Sequence, residues 1–173
     1  SLQYMHPLMQ SKWLHYNSYN NISSPEFIAY ADSLVLFHKK MVRIFKESSV
    51  PIVIGTDAGN TGVAYGFSVH DEMELLVEAG LTNEEVLISA TRLPSEWLGM
   101  NDKIGSIEPG KFADLVLLED NPLVNIKNTR RISGIFVNGR WVDKATIDYM
   151  LLDLSQRNTK ELNKYDWGNR KEY

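Results

Sequence analysis

Val53-Ile54-Gly55-Thr56-Asp57-Ala58-Gly59 decides how this chain is read. It closes a β-branched apolar run (Val50, Ile52, Val53, Ile54) that reads as a strand buried on both faces. Such strands belong to parallel sheets covered by helices. The run breaks at Gly-Thr-Asp-Ala-Gly, so a carboxylate sits just past the strand's C-terminal end, where α/β proteins gather ligands and catalytic groups. Asp57 is therefore the first candidate for chemistry.

Working outward, Ser23-Ser24-Pro25-Glu26 is a helix start, with a serine cap, a first-turn proline and Glu26 three residues after Ser23. Phe27, Ile28, Ala31, Leu34, Val35, Met41, Val42 and Phe45 follow at helical spacing and predict an amphipathic helix over residues 25–47. Lys39, Lys40 and Arg43 read as its solvated face. Residues 1–22 have no clean period and predict an irregular or partly helical opening segment. Beyond the glycine-bearing turn, Val69 to Ala79 is helical up to Gly80, and Thr82-Asn83-Glu84-Glu85 is a capping box that opens another helix through Ala90. A short helical turn around Ser95 to Leu98 ends at Gly99. The period then changes to two. Residues 104–107, 114–118 and 132–137 read as strands, and Asn138-Gly139 before Trp141-Val142 is a two-residue hairpin signal. Asp143 can cap a last helix carrying Ile147, Met150, Leu151 and Leu154, with a polar, mobile tail from Ser155.

The chain has 173 residues, 43% hydrophobic and 23% charged, with a net charge of -4. That is enough for one core, and the charge gives no reason to expect nucleic acid or an anionic membrane as partner. No apolar run reaches the roughly 20 residues of a membrane span. Cysteine is absent, which removes disulfides, thiolate metal sites and thiol nucleophiles. Ser1-Leu2 does not read as a translation start, and Asn21-Ile22-Ser23 is a glycosylation-type triplet of a kind expected by chance. The strand count is odd: a parallel strand needs parallel neighbours, and no other segment resembles one, so its partners are expected outside this chain.

Asp57 carries three readings. It fits a metal ligand or general base at a strand end. An aspartic protease dyad would need Asp-Thr-Gly, and the order here is Thr56-Asp57-Ala58-Gly59. It could also simply cap the next turn. Gly55, Gly59, Asn60 and Gly62 match no phosphate-binding fingerprint and read as a tight turn. His70 stands at a helix start with Asp71, Glu72 and Glu74, where acids are favoured anyway, so both a ligand-binding and a helix-terminus reading remain. His6, His15 and His38 have no partner at ligand spacing, and Trp97, Trp141 and Trp167 read as packing.

Several motifs then agree in order and spacing. They are 54-IGTDAG-59, 68-SVHDEMELL-76, 79-AGLT-82, Ala90-Thr91, Leu98-Gly99, 102-DKIGSIEPGKFADLV-116, 121-NPL-123 and Val137-Asn138-Gly139. Over about residues 34–142 the chain closely resembles the C-terminal part of metal-dependent amidohydrolases, especially the imidazolonepropionase-like and Xaa-Pro dipeptidase-like group. The resemblance implies an α/β fold: the last part of a (β/α)8 TIM-type barrel plus the C-terminal strands of a small β-sandwich. Residues 1–100 would be the end of the barrel, with 50–56 as its eighth strand. Residues 101–143 would be the sandwich portion and 144–173 a C-terminal helix and polar tail.

It further implies Asp57 as metal ligand and catalytic proton shuttle, and a substrate-binding role for His70 near the pocket mouth. Lys111 and Asp114 would be structural. The implied cofactor is one or two divalent ions, zinc foremost, in a parent that hydrolyses C–N bonds of an amide, a cyclic amide or an Xaa-Pro-like dipeptide. The family's His-x-His, its bridging lysine or glutamate and its further histidines are expected upstream of Ser1. This chain alone is then expected to bind no metal and to be inactive, because one carboxylate does not hold a divalent ion. Its partners would be a small-molecule or dipeptide substrate and either the missing N-terminal barrel segment or a second copy. A non-catalytic binding or scaffold module, or one half of a split enzyme, is the alternative.

Overall fold

Why the 50–56 run does not become a strand explains much of the architecture. In the computed structural model, which describes residues 1–15 and 24–169, the run is extended but pairs with no strand among the described residues. A parallel strand is defined by ladder neighbours, and without them only one face is covered. Ile52, Ile54 and Thr56 are half-buried while Pro51, Val53, Gly55 and Asp57 are exposed. The expectation of a strand buried on both faces is thus corrected to a single extended segment with alternate residues inward.

The helices follow the pattern. Helix α1 (Pro7–His15) lies in the opening segment and α2 spans Pro25–Glu47 as predicted. Its cap is Ser24, whose side chain accepts from the Phe27 N–H; Ser23 and the triplet 21–23 lie outside the described residues. Helix α3 (Phe67–Glu78) precedes α4 (Asn83–Ala90), which opens on the full reciprocal capping box of Thr82 and Glu85. Helix α5 (Arg92–Trp97) ends before Gly99. The larger core joins Met73, Leu76, Leu81, Val86 and Ile126, with Val42, Ile52 and Ile54 packed against it. A smaller one joins Met5, Trp13 and Ala64 with Met9 and Phe67.

Leu76→Ala is expected to cost about 2–3 kcal/mol, the low end for a buried leucine, because its half-exposed neighbours can settle into the gap. A urea melt with a fall in midpoint at constant slope checks this.

Helix α2 has no buried residue at all. Contrary to its reading as purely solvated, Lys39 contacts the body: its Nζ lies 2.6 Å from Glu78 Oε2. One turn or two further on, Val42 packs on the larger core and Lys46 reaches Glu85 Oε2 at 2.8 Å and the Gly80 carbonyl at 2.9 Å. This narrow stripe (39, 42, 46) anchors the helix. Ile28, Tyr30, Val35, Leu36 and Phe37 remain exposed.

Strands β1 (Leu115–Leu118), β2 (Ile132–Val137) and β3 (Arg140–Asp143) form an antiparallel sheet in that order. Asn138 (φ 50°) and Gly139 (φ 72°) both take positive φ, as a tight two-residue hairpin demands. The Asp114 carboxylate accepts the Asn138 N–H at 2.6 Å, so this residue holds the hairpin. The expected strand at 104–107 is absent. Gly105 turns there at φ 96° and lies against Ser95, and Ile104 N–H bonds back to the Met100 carbonyl, giving a turn-rich loop instead. Lys111 closes that loop on Ser106 Oγ at 2.5 Å and Glu108 Oε1 at 3.3 Å.

Asp143 caps α6 through the Thr146 N–H, as expected. The helix runs on to Glu161, so residues past Ser155 are not a loose tail. They pack on the N-terminal segment: Asn158 Nδ2 donates to the Gln3 carbonyl and the Trp167 N–H to Ser11 Oγ. The polarity of this stretch is met by those bonds. No helix among the described residues is long and apolar enough to cross a membrane.

Candidate functional site

Asp57 stands where the extended segment turns, in the left-handed region at φ 52°, a conformation that Asp and Asn tolerate better than most residues. Its side chain is exposed and Oδ2 accepts from Asn60 Nδ2. The turn closes through the Asn60 N–H to the Asp57 carbonyl at 3.3 Å, Val63 N–H to the Asn60 carbonyl at 2.9 Å and Gly59 N–H to the Val63 carbonyl at 3.0 Å. Gly59 has φ 108°, and a Cβ there would lie 2.6 Å from the Tyr65 hydroxyl oxygen, so only glycine fits. The glycines serve a tight turn, in keeping with their reading from the sequence.

Three contacts hold this turn to the body. Ile54 N–H bonds to the Ser89 carbonyl at 3.2 Å, Gly55 N–H to Glu72 Oε1 at 3.0 Å, and Trp13 Nε1–H to the Gly59 carbonyl at 3.3 Å. The sequence does not mark Trp13, and it shows Glu72 only as one of the acids beside His70. Both act through main-chain partners remote in sequence, which spacing does not reveal.

His70, on α3, faces a different neighbour. Its Nδ1 lies 2.9 Å from Thr129 Oγ1, and that hydroxyl donates its own proton to the Ile126 carbonyl at 2.8 Å. Thr129 must therefore accept, which makes His70 the Nδ1–H tautomer when neutral and leaves Nε2 as an acceptor. Arg130 sits beside it, bonded to Glu74 Oε1 at 2.7 Å and Asp71 Oδ1 at 2.5 Å. Burial, and then the Arg130 charge, lower the His70 pKa below 6.5, outweighing the opposite pull of Asp71 and Glu74.

The sign follows from which state binds the proton. Below 6.5 the unfolded chain takes up a proton that folded His70 resists, so stability is complete above that pH and falls as pH drops through the folded value. Melting temperatures measured down from pH 8 are expected to decline below about pH 6.5, and His70→Gln to flatten that part of the decline.

Two surface hollows, one between α1 and residues 162–166 and one beside α5 and residues 101–111, include neither Asp57 nor His70. Among the described residues no three His, Cys, Asp or Glu side chains group as a metal site. A zinc site takes three or four protein ligands, so the exposed carboxylate of Asp57 does not make one by itself.

Residues 21–142 match the Amidohydrolase family, and the chain belongs to that family. Its relatives there are hydrolytic enzymes, and the family is generally metal-dependent. More particularly, the chain is 28% identical over 113 residues to an imidazolonepropionase of Thermoplasma volcanium, covering 63% of this chain and 28% of that protein. It is 34% identical over 88 residues to a 5'-deoxyadenosine deaminase of Methanobrevibacter smithii, covering 49% and 20%. A crystal structure of a Xaa-Pro dipeptidase with bound methionine in the active site superposes with a TM-score of 0.61 at 28% identity, over 80% of this chain and 34% of that one. The chain thus spans about a third or less of the length of these relatives. Its fold neighbours are amidohydrolases of TIM-barrel type, and the chain itself is mixed α/β with a small three-stranded sheet among the described residues.

Proposed function

We propose that this chain is the closing part of a hydrolase of C–N bonds, acting on an amide, a cyclic amide or an Xaa-Pro-like dipeptide, with Asp57 in its active site. The observation that carries this is the position of Asp57: an exposed carboxylate in a fixed turn at the end of segment 50–56, inside the family-matched region. The carboxylate accepts the proton of the attacking water and returns it to the departing nitrogen. It also offers one oxygen to a divalent ion, zinc foremost, whose other ligands come from outside this chain. The chain by itself is inactive.

Segment 50–56 takes the place of the last barrel strand, residues 1–100 close the barrel, and residues 101–143 supply part of a β-sandwich. The open sheet supports that last assignment: Val116 and Val137 are exposed on one face and leave apolar surface for a second sheet. His70 keeps a substrate-facing role through Nε2, since Nδ1 is taken by Thr129. The remaining barrel segment, or a second copy, covers α2.

The test sets the chain beside the full-length gene product. The 173-residue chain should hydrolyse none of a panel of N-acyl amino acids, cyclic amides and Xaa-Pro dipeptides with added zinc, whereas the full-length gene product should turn over at least one. Turnover by the chain alone, or by neither, would sink the reading.

A further inference from the structure

We infer that Glu72 is a positioning residue for Asp57, acting through the main chain of Gly55; this rests on the reading of Asp57 given above. Segment 50–56 has no ladder partner among the described residues, and within this chain its backbone near the carboxylate is tied to α3 and α4. Ile54 N–H finds the Ser89 carbonyl, an ordinary main-chain tie. The next amide, two residues before Asp57, is held by a side chain: Gly55 N–H donates to Glu72 Oε1 at 3.0 Å. Hydrogen bonds to a carboxylate are about twice as strong as neutral ones and hold a donor more tightly.

The rest of Glu72 argues that this is its task. Asp71 and Glu74, on the same helix, are both taken up by Arg130, while no ion pair with Glu72 occurs among the described residues. Its Oε2 is buried with no hydrogen-bond partner. Burying an unmatched carboxylate oxygen is unfavourable, and a helix or core position would be better served by an apolar or neutral residue. A carboxylate is useful here for the one donor it meets. Gly55 has nothing within 4 Å of a Cβ position, so the tie does not arise from crowding. Beyond Asp57, the Trp13 indole grips the Gly59 carbonyl, so the turn is pinned on both sides of the carboxylate.

Amide hydrogen exchange resolved to single residues tests this on the 173-residue chain. After correction for intrinsic rates, Gly55 should exchange about tenfold or more slowly than Val53 in the unsubstituted chain. Glu72→Leu should abolish that difference while leaving the Leu76 and Val86 amides protected, and Glu72→Gln, which keeps an acceptor, should restore most of it.

In the full-length protein Glu72→Leu should lower kcat with little change in KM, and Glu72→Gln should recover it. Equal exchange at Gly55 and Val53 in the unsubstituted chain overturns the inference even where the variants do not fold. So does unchanged kcat in a folded Glu72→Leu protein that loses Gly55 protection. Full turnover by Asp57→Asn would instead remove the role of Asp57 and leave the Gly55 result standing, so the two failures are distinguishable.

Discussion

Asp57→Asn in the full-length protein is expected to lower kcat by about 10²–10⁴-fold, the usual contribution of a positioned general base. Asparagine is nearly isosteric and still accepts through Oδ1, so the contact from Asn60 Nδ2 is kept. It also tolerates the left-handed backbone of φ 52°, where alanine would add strain and confuse the result. Only the proton-accepting capacity and the charge are removed. Because the side chain is exposed, stability should change by less than about 0.5 kcal/mol. Steady-state kinetics on the substrate panel, alongside thermal melts, check both halves. Retained turnover would remove Asp57 from the mechanism, and a large loss of stability would mean that it serves the turn.

The 173-residue chain produced alone is expected to associate. Leu36 is 69% exposed, Phe37 56% and Tyr30 63%, all on a 23-residue helix with no buried position. Exposed apolar faces of this kind mark surfaces that another chain covers, and the edges of segment 50–56, unpaired among the described residues, add to the tendency. Sedimentation velocity should show dimers or larger species whose share grows with concentration. Leu36→Glu with Phe37→Glu should shift the chain toward monomer without lowering its melting temperature. Glutamate suits a helix, and neither residue belongs to the two cores. A monomer at every concentration would count against an uncovered α2.

What could be read in advance is the local chemistry. The bounds of α2, the Thr82–Glu85 capping box, the Asn138-Gly139 hairpin and the Asp143 cap each depend on residues within a few positions of one another. What escaped depends on distant partners. Segment 50–56 has the composition of a strand but lacks, among the described residues, the neighbours that make one. The 104–107 run alternates well enough, yet Gly105 must bend to pass Ser95. Residues 155–169 look like a free tail until Gln3 and Ser11 meet them from the other end of the chain.

At the site, Asp57 stood out because glycines bracket it. Glu72 and Trp13 did not, since each reaches a main-chain group 17 or 46 positions away. His70 was visible as a histidine among acids, while its tautomer needed Thr129, 59 residues on.

We propose Asp57 as one carboxylate of a hydrolytic site whose remaining ligands the same gene encodes. Reading the gene upstream of the Ser1 codon tests it most directly. In-frame codons for the earlier barrel, carrying His-x-His and the further histidines of a metal site, are expected. A translation start near Met5 would contradict it and leave Asp57 with no ligand partners in its own chain.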